Sequence, residues 1–173
     1  ASEHTQSAQA EVREQLDFAD RQSFDDAAKG FIATLEPLTL QRDEGQVTYD
    51  LARMSFLDQE APDTVNPSLW RQAQLNAQHN GLYEVSDGLY QVRSFDIANM
   101  TLIRGNSGWI IIDPLTSSES SAAALQLAND HLGERPVVAV IHTHSHADHF
   151  AGVLGVINHN DAASERVAVI APK

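Results

Sequence analysis

Four residues of metal-ligand type, His144, His146, Asp148 and His149, fall within six consecutive positions of the string HTHSHADHFAG. Five of the eight histidines lie between positions 142 and 159. Neutral imidazole and carboxylate are the donors that zinc and similar borderline divalent ions take. Alternation along an extended segment puts His144 and His146 on one side, where two rings can converge on one ion. Asp148 and His149 are adjacent where the loop becomes a helix, so they diverge from the first pair and could hold a second ion. Two ions roughly 3.5 to 4 Å apart can clamp a substrate oxygen and lower the pKa of bound water, giving a nucleophile at neutral pH. The constellation reads as metal-assisted hydrolysis by metal-bound water. The competing reading is a polar surface loop with coincidental histidines, which four ligands in so short a span outweigh. No protein general acid and no substrate-binding residue is assignable from the sequence.

Positioning these residues requires a particular set of elements. The apolar run Val137 to Ile141 predicts a buried strand that delivers the loop. A short helix over about Asp148 to Val156 and a strand beginning at VAVIA are expected after it. Upstream, LYEV, LYQVRSF, NMTLIRG and WIIID are separated by Gly, Asn and Asp turns and predict a β-meander. After Asp113 and Pro114, Thr116 and Glu119 resemble a capping box for a helix through Leu132, closed by Gly133 before Pro136. A meander followed by βαβα implies an α/β layered sheet.

Residues 1–80 are expected to form a helical N-terminal layer, and residues 81–173 the first half of a catalytic domain. Phe24, Ala27, Ala28, Phe31, Ile32 and Leu35 follow helical spacing from Ser23. The stretch from Pro37 to Pro67 is polar, acidic and weakly periodic, and SLWRQAQLNAQHNG reads as a short helix closed by Gly81. The sequence stops as a strand reaches the face where open α/β sheets place their sites, which gives the expectation of a fold interrupted halfway.

Eleven Lys and Arg against 24 Asp and Glu give a formal charge of −13. Nucleic acid is disfavoured, because a polyanion is bound by a basic face. Residues 1–66 hold 14 acids and 5 bases and the remainder 10 and 6, so a small anionic substrate is compatible with the second part if metal or local Arg charge offsets the field. With no cysteine, thiolate catalysis and Cys-containing zinc sites are excluded. No apolar run approaches about 18 residues, so no membrane span is expected. The opening ASEHTQSAQA suits a mature terminus after export and equally an ordinary frayed end.

H-x-H-x-D-H after a buried strand, preceded by Thr143, resembles the motif of the metallo-β-lactamase superfamily, and the order of meander, Asp113, helix, strand and motif is similar as well. The stretches APDTVNPSLWRQAQLN (61–76) and GLYEVSDGLYQVRSFDIANMTLIRGNSGWIIIDPLTS (81–117) resemble its alkyl sulfatase branch, whose members hydrolyse dodecyl sulfate and related esters. The resemblance implies the first half of an αββα sandwich and two zinc ions, one held by His144 and His146, the other by Asp148 and His149. Asp113 matches an acid that supports the metal loop from behind; as an Asp-Pro turn initiator it has an equal alternative. Thr143 orients the loop or is simply a β-branched strand residue. His142 reads as structural, and His4, His79, His131 and His159 as surface residues.

Family chains are longer, adding further ligands, a dimerisation region and a C-terminal sterol-carrier-like domain. The resemblance therefore implies an N-terminal part of a secreted or periplasmic enzyme, homodimeric through regions outside these residues, acting on a small-molecule alkyl sulfate. The alternatives are another hydrolase of the superfamily, acting on a lactam, thioester or phosphodiester, and a non-catalytic fragment that needs a partner chain.

Overall fold

A computed structural model describes residues 2–42 and 45–173. Ala1 of the opening segment, and Asp43 and Glu44 of the acidic stretch, lie outside the described residues. The chain divides into two compact units, Ala1–Ala28 with Arg53–His79, and Lys29–Ala52 with Asn80–Lys173. No helix among the described residues is long and apolar enough to cross a membrane.

The first unit contains α1 (Glu3–Gln15), α2 (Gln22–Ala28), α3 (Pro67–Gln78) and most of a 3-10 segment, Leu51–Asp58. Ser2 caps α1 by accepting from the Thr5 N–H, and Asn66 caps α3 ahead of Pro67. No residue of α1 is buried, which is why apolar periodicity does not announce it. Side-chain bonds to backbone carbonyls hold the unit together, among them Trp70 Nε1 to Gln59 O (3.1 Å) and Gln74 Nε2 to Leu57 O (2.7 Å).

The second unit is built on a sheet whose strands in chain order are β1 (Phe31–Ala33), β4 (Gly81–Ser86), β5 (Leu89–Arg93), β6 (Met100–Arg104), β7 (Trp109–Ile112), β8 (Val137–Ile141) and β9 (Ala168–Ile170), neighbours in that same order. A separate antiparallel pair, β2 (Thr39–Gln41) and β3 (Val47–Asp50), lies in the same unit. Strands β4 to β7 form the expected antiparallel meander; β7, β8 and β9 are parallel. Tyr90 and Val92, Met100 and Leu102, and Trp109 and Ile111 are buried on one face, where α4 (Ser118–Leu132) contributes Ala124, Leu127 and Ala128. Val92 lies opposite Met100, and Leu102 opposite both Tyr90 and Ile111. A one-residue slip would turn Gln91 and Thr101 into this core, so burial fixes the register.

Four expectations are corrected. The helix expected from Ser23 through Leu35 ends at Ala28; Gly30, at φ +74°, turns the chain, and Phe31 and Ile32 enter an edge strand paired with β4. A Cβ at Gly30 would lie 2.0 Å from Glu84 O, so sheet pairing there has overridden helical spacing. The layer over residues 1–80 is consequently not all helical, since β1, β2 and β3 interrupt it and residues 29–52 belong to the second unit. The cap of α4 is Ser117, whose side chain accepts from Ser120 N–H, rather than Thr116. The helix expected over Asp148 to Val156 is two 3-10 turns, Ala147–His149 and Val153–Gly155, because Gly152 between them packs on the β7–α4 loop.

That packing leaves no room for a side chain. Gly152 N–H donates to Leu115 O (2.9 Å), Ser121 Oγ donates to Gly152 O, and a Cβ at Gly152 would fall 2.1 Å from Pro114 O. Gly152→Ala is expected to destabilise the chain by about 2 kcal/mol, the range of overpacking a well-packed contact, as read from urea unfolding. An unchanged midpoint would mean that the loop yields without cost.

Candidate metal centre

Parallel pairing brings the C-terminal ends of β7 and β8 side by side. Asp113 N–H donates to Ile141 O (3.0 Å) and His142 N–H to Ile170 O (2.8 Å), each extending a ladder by one residue. Asp113 is 8% exposed and left-handed at φ +56°, and Leu115 two residues on is left-handed too, at φ +61°. Such angles are uncommon for residues with a Cβ. They turn the Asp113 carboxylate toward the loop leaving β8.

Three hydrogen bonds converge on the carboxylate. Its Oδ1 accepts the Thr143 backbone N–H (2.8 Å), and its Oδ2 accepts both the Thr143 hydroxyl (2.6 Å) and His149 Nδ1–H (2.8 Å). Burial pushes the Asp113 pKa up, but the bonds from Thr143 and His149 together outweigh it and hold the carboxyl below its ordinary value. It therefore acts as an ionised acceptor.

Proton positions follow from this arrangement. The Thr143 hydroxyl has one proton and gives it to Asp113, so its oxygen accepts from His144 Nδ1, 2.9 Å away. His149 Nδ1 likewise points its proton at Asp113. In both rings the proton is drawn to Nδ1, and Nε2 becomes the donor atom for an electrophile. A single carboxylate thus sets two imidazoles, one directly and one through a hydroxyl.

His144, His146 and His149 gather within one cluster. Ring centroids are 4.1 Å apart for His144 and His149 and 4.7 Å for His144 and His146. Asp148 Oδ2 lies 3.1 Å from His149 Nε2. That contact needs a shared electrophile, a proton or an ion. Adjacent donors of a tetrahedral zinc site lie about 3.3 Å apart, given bonds of about 2.0 to 2.1 Å, so the spacing fits a common ion. Ligand-type atoms of Asp113, His144 and His149 also lie within 4.8 Å of one another. Asp113 Oδ2 accepts from His149 Nδ1 and, through the Thr143 hydroxyl, is linked to His144 Nδ1, so its contacts with these imidazoles are made at their Nδ1 side. His144 and His146 are exposed, Asp148 and His149 half-buried, so the donor set opens to solvent on one side.

The other residues singled out in the sequence fall as follows. Thr143 is the hydroxyl link just described, more than a β-branched strand residue. His142 is structural, its Nδ1 3.2 Å from His149 O and its ring edge-on to Phe150. His4, His131 and His159 are exposed, but His79 is half-buried at the end of α3, beside the Phe24 ring, because the helix cap turns it inward. Sequence reasoning did not find Asp96, which accepts Thr116 N–H (2.8 Å) and Ala98 N–H (2.9 Å) and so ties the loop after Asp113 to the β5–β6 connection. No local pattern marks it. Gly152 was missed as well, although a glycine at the end of HFAG was there to be read.

Residues 93–173 match the model of the metallo-beta-lactamase superfamily. That part of the chain carries the metallo-beta-lactamase likeness, and relatives that match the chain throughout are alkylsulfatases. It is 45% identical over 174 residues to a linear primary-alkylsulfatase from Pseudomonas and 49% identical over 173 residues to an (R)-specific secondary-alkylsulfatase from Pseudomonas, covering 99% of this chain and 26% of each relative. The solved structure of a stereoselective inverting sec-alkylsulfatase from Pseudomonas is 49% identical, with a TM-score of 0.88 over 98% of this chain and 26% of that one. The chain thus spans about a quarter of the length of the relatives it matches.

Asp113→Asn removes the ionised acceptor on which both Nδ1 protons depend. Affinity for a divalent transition metal is expected to fall roughly 10- to 100-fold, measured by competition with a chromophoric chelator. Thr143→Val is expected to weaken it and Thr143→Ser to preserve it, since only the serine keeps the hydroxyl. Equal affinity in the Val and Ser variants would remove the hydroxyl link from ligand support.

Proposed function

We propose that this chain supplies ligands to the zinc centre of an alkyl sulfatase, with His144 and His146 on one ion and Asp148 and His149 on a second. What carries the reading is the hydrogen-bond chain from Asp113 through Thr143 to His144, and directly to His149, which commits each ring's Nδ1 proton and frees Nε2. The 3.1 Å approach of Asp148 to His149 Nε2 supports their sharing an ion. The relatives' names, primary and secondary alkylsulfatase, support an alkyl sulfate ester as the substrate class.

Bound zinc would act as a Lewis acid, activating a water and offsetting the sulfate charge as the ester is cleaved to an alcohol and inorganic sulfate. The chain's own part is positional. Asp113 keeps the imidazoles of His144 and His149 in one protonation pattern, and the 3-10 turn at Ala147–His149 brings Asp148 and His149 to the rim. A cavity of about 560 Å³ opens beside His144, with Phe150, Val153 and Pro172 among its walls, and gives an apolar substrate body a surface next to the donors. Each ion takes about four ligands, so water, substrate and further protein groups complete the set. Export and homodimerisation through regions outside these residues belong to the same reading.

The native polypeptide is expected to release sulfate from dodecyl sulfate, to lose the activity on chelation and to regain it with zinc. His146→Ala should bring release down to the chelated baseline. No release above that baseline overturns the sulfatase reading, and turnover of nitrocefin or an acyl-glutathione thioester in its place would move the chain to another hydrolase class.

A further inference from the structure

The first unit, Ala1–Ala28 with Arg53–His79, holds ten acidic residues and four arginines, a formal charge of −6 from four minus ten. Three of those four arginines, Arg13, Arg21 and Arg71, nevertheless line one cavity of about 610 Å³. Asp58 and Glu60 are the acids of its lining, so the cavity carries a net +1 (three minus two) inside a negative unit. Among the described residues none of the three arginines forms an ion pair with a carboxylate.

Their hydrogen bonds go to backbone carbonyls. Arg13 Nη2 donates to Ala61 O (3.4 Å) and Pro62 O (3.2 Å), and Arg71 Nη2 donates to Asp20 O. Carbonyls orient a guanidinium without neutralising it. Arg71 Nε is buried and has no acceptor among the described residues. A buried donor on a charged group is costly to leave unpaired, so the Arg71 guanidinium is not satisfied by the backbone alone. Arg21 lies 3.5 Å over the Phe24 ring centroid and Arg71 5.1 Å from it, so one aromatic platform holds both forks. Trp70, fixed by its bond to Gln59 O, and Phe18 add apolar wall to the cavity.

Guanidinium forks match the oxygens of carboxylate and sulfate groups, and the volume lies in the range of small-molecule sites. We propose that this cavity binds a small amphiphilic oxyanion, its carboxylate or sulfate-type head among Arg13, Arg21 and Arg71 and its apolar body against Trp70 and Phe18. The proposal is independent of the hydrolytic reading of the metal-ligand cluster.

Trp70 provides the readout, because the chain's other tryptophan, Trp109, is fully buried in the sheet core. Fluorescence of the native chain is titrated with octanoate and octanesulfonate, neither of which a sulfatase can hydrolyse, and with octanol and inorganic sulfate. A saturable change is expected with the octyl anions and none with octanol or inorganic sulfate; a response to only one octyl anion supports the site and assigns its head group. Arg21→Gln is expected to raise Kd about tenfold, the loss of one charge-assisted contact. Arg53→Gln removes the unit's remaining arginine, which does not line the cavity, and should leave Kd within about twofold. No saturable response to either anion, an equal response to octanol, or equal effects of the two substitutions would overturn the proposal.

Discussion

A carboxylate at the end of a buried strand must find donors or lose its charge, and Asp113 finds them all in one segment. Thr143 N–H, the Thr143 hydroxyl and His149 Nδ1 converge on it, and His144 is reached through the same hydroxyl. The interaction does two things at once. It closes the gap between the ends of β7 and β8, and it decides which nitrogen of each imidazole is left for an electrophile. Buried polar networks of this kind are stable only when every member is satisfied.

The surrounding fold is arranged around that requirement. Parallel pairing of β7 with β8 sets the two strand ends level, and the crossover through α4 returns the chain to do so. Left-handed angles at Asp113 and Leu115 aim the carboxylate and bend the loop toward Gly152, whose missing side chain lets two backbones meet. Asp113 and Leu115 hold these angles directly after β7, whose Trp109 and Ile111 are fixed in the core beside Leu102.

Charge is distributed with similar economy. The chain is strongly acidic, yet its acids mostly stand on the surface, and the positive groups of the first unit gather at one cavity instead of pairing with them.

Much of the candidate cluster was legible before folding, because it is local: His144, His146, Asp148 and His149 lie in one loop, and their side chains come together there. The meander was legible for the same reason, since alternation such as Tyr90, Gln91, Val92 encodes which face is buried. Tertiary structure decided what depends on distant partners. Phe31 and Ile32 carry helical spacing but take a place at a sheet edge, because β4 offers unpaired backbone groups there. Thr143 became a link rather than a strand residue only because Asp113, thirty positions earlier, arrives beside it. The sequence determined which groups could bind; the pairing of two parallel strands determined where their protons lie.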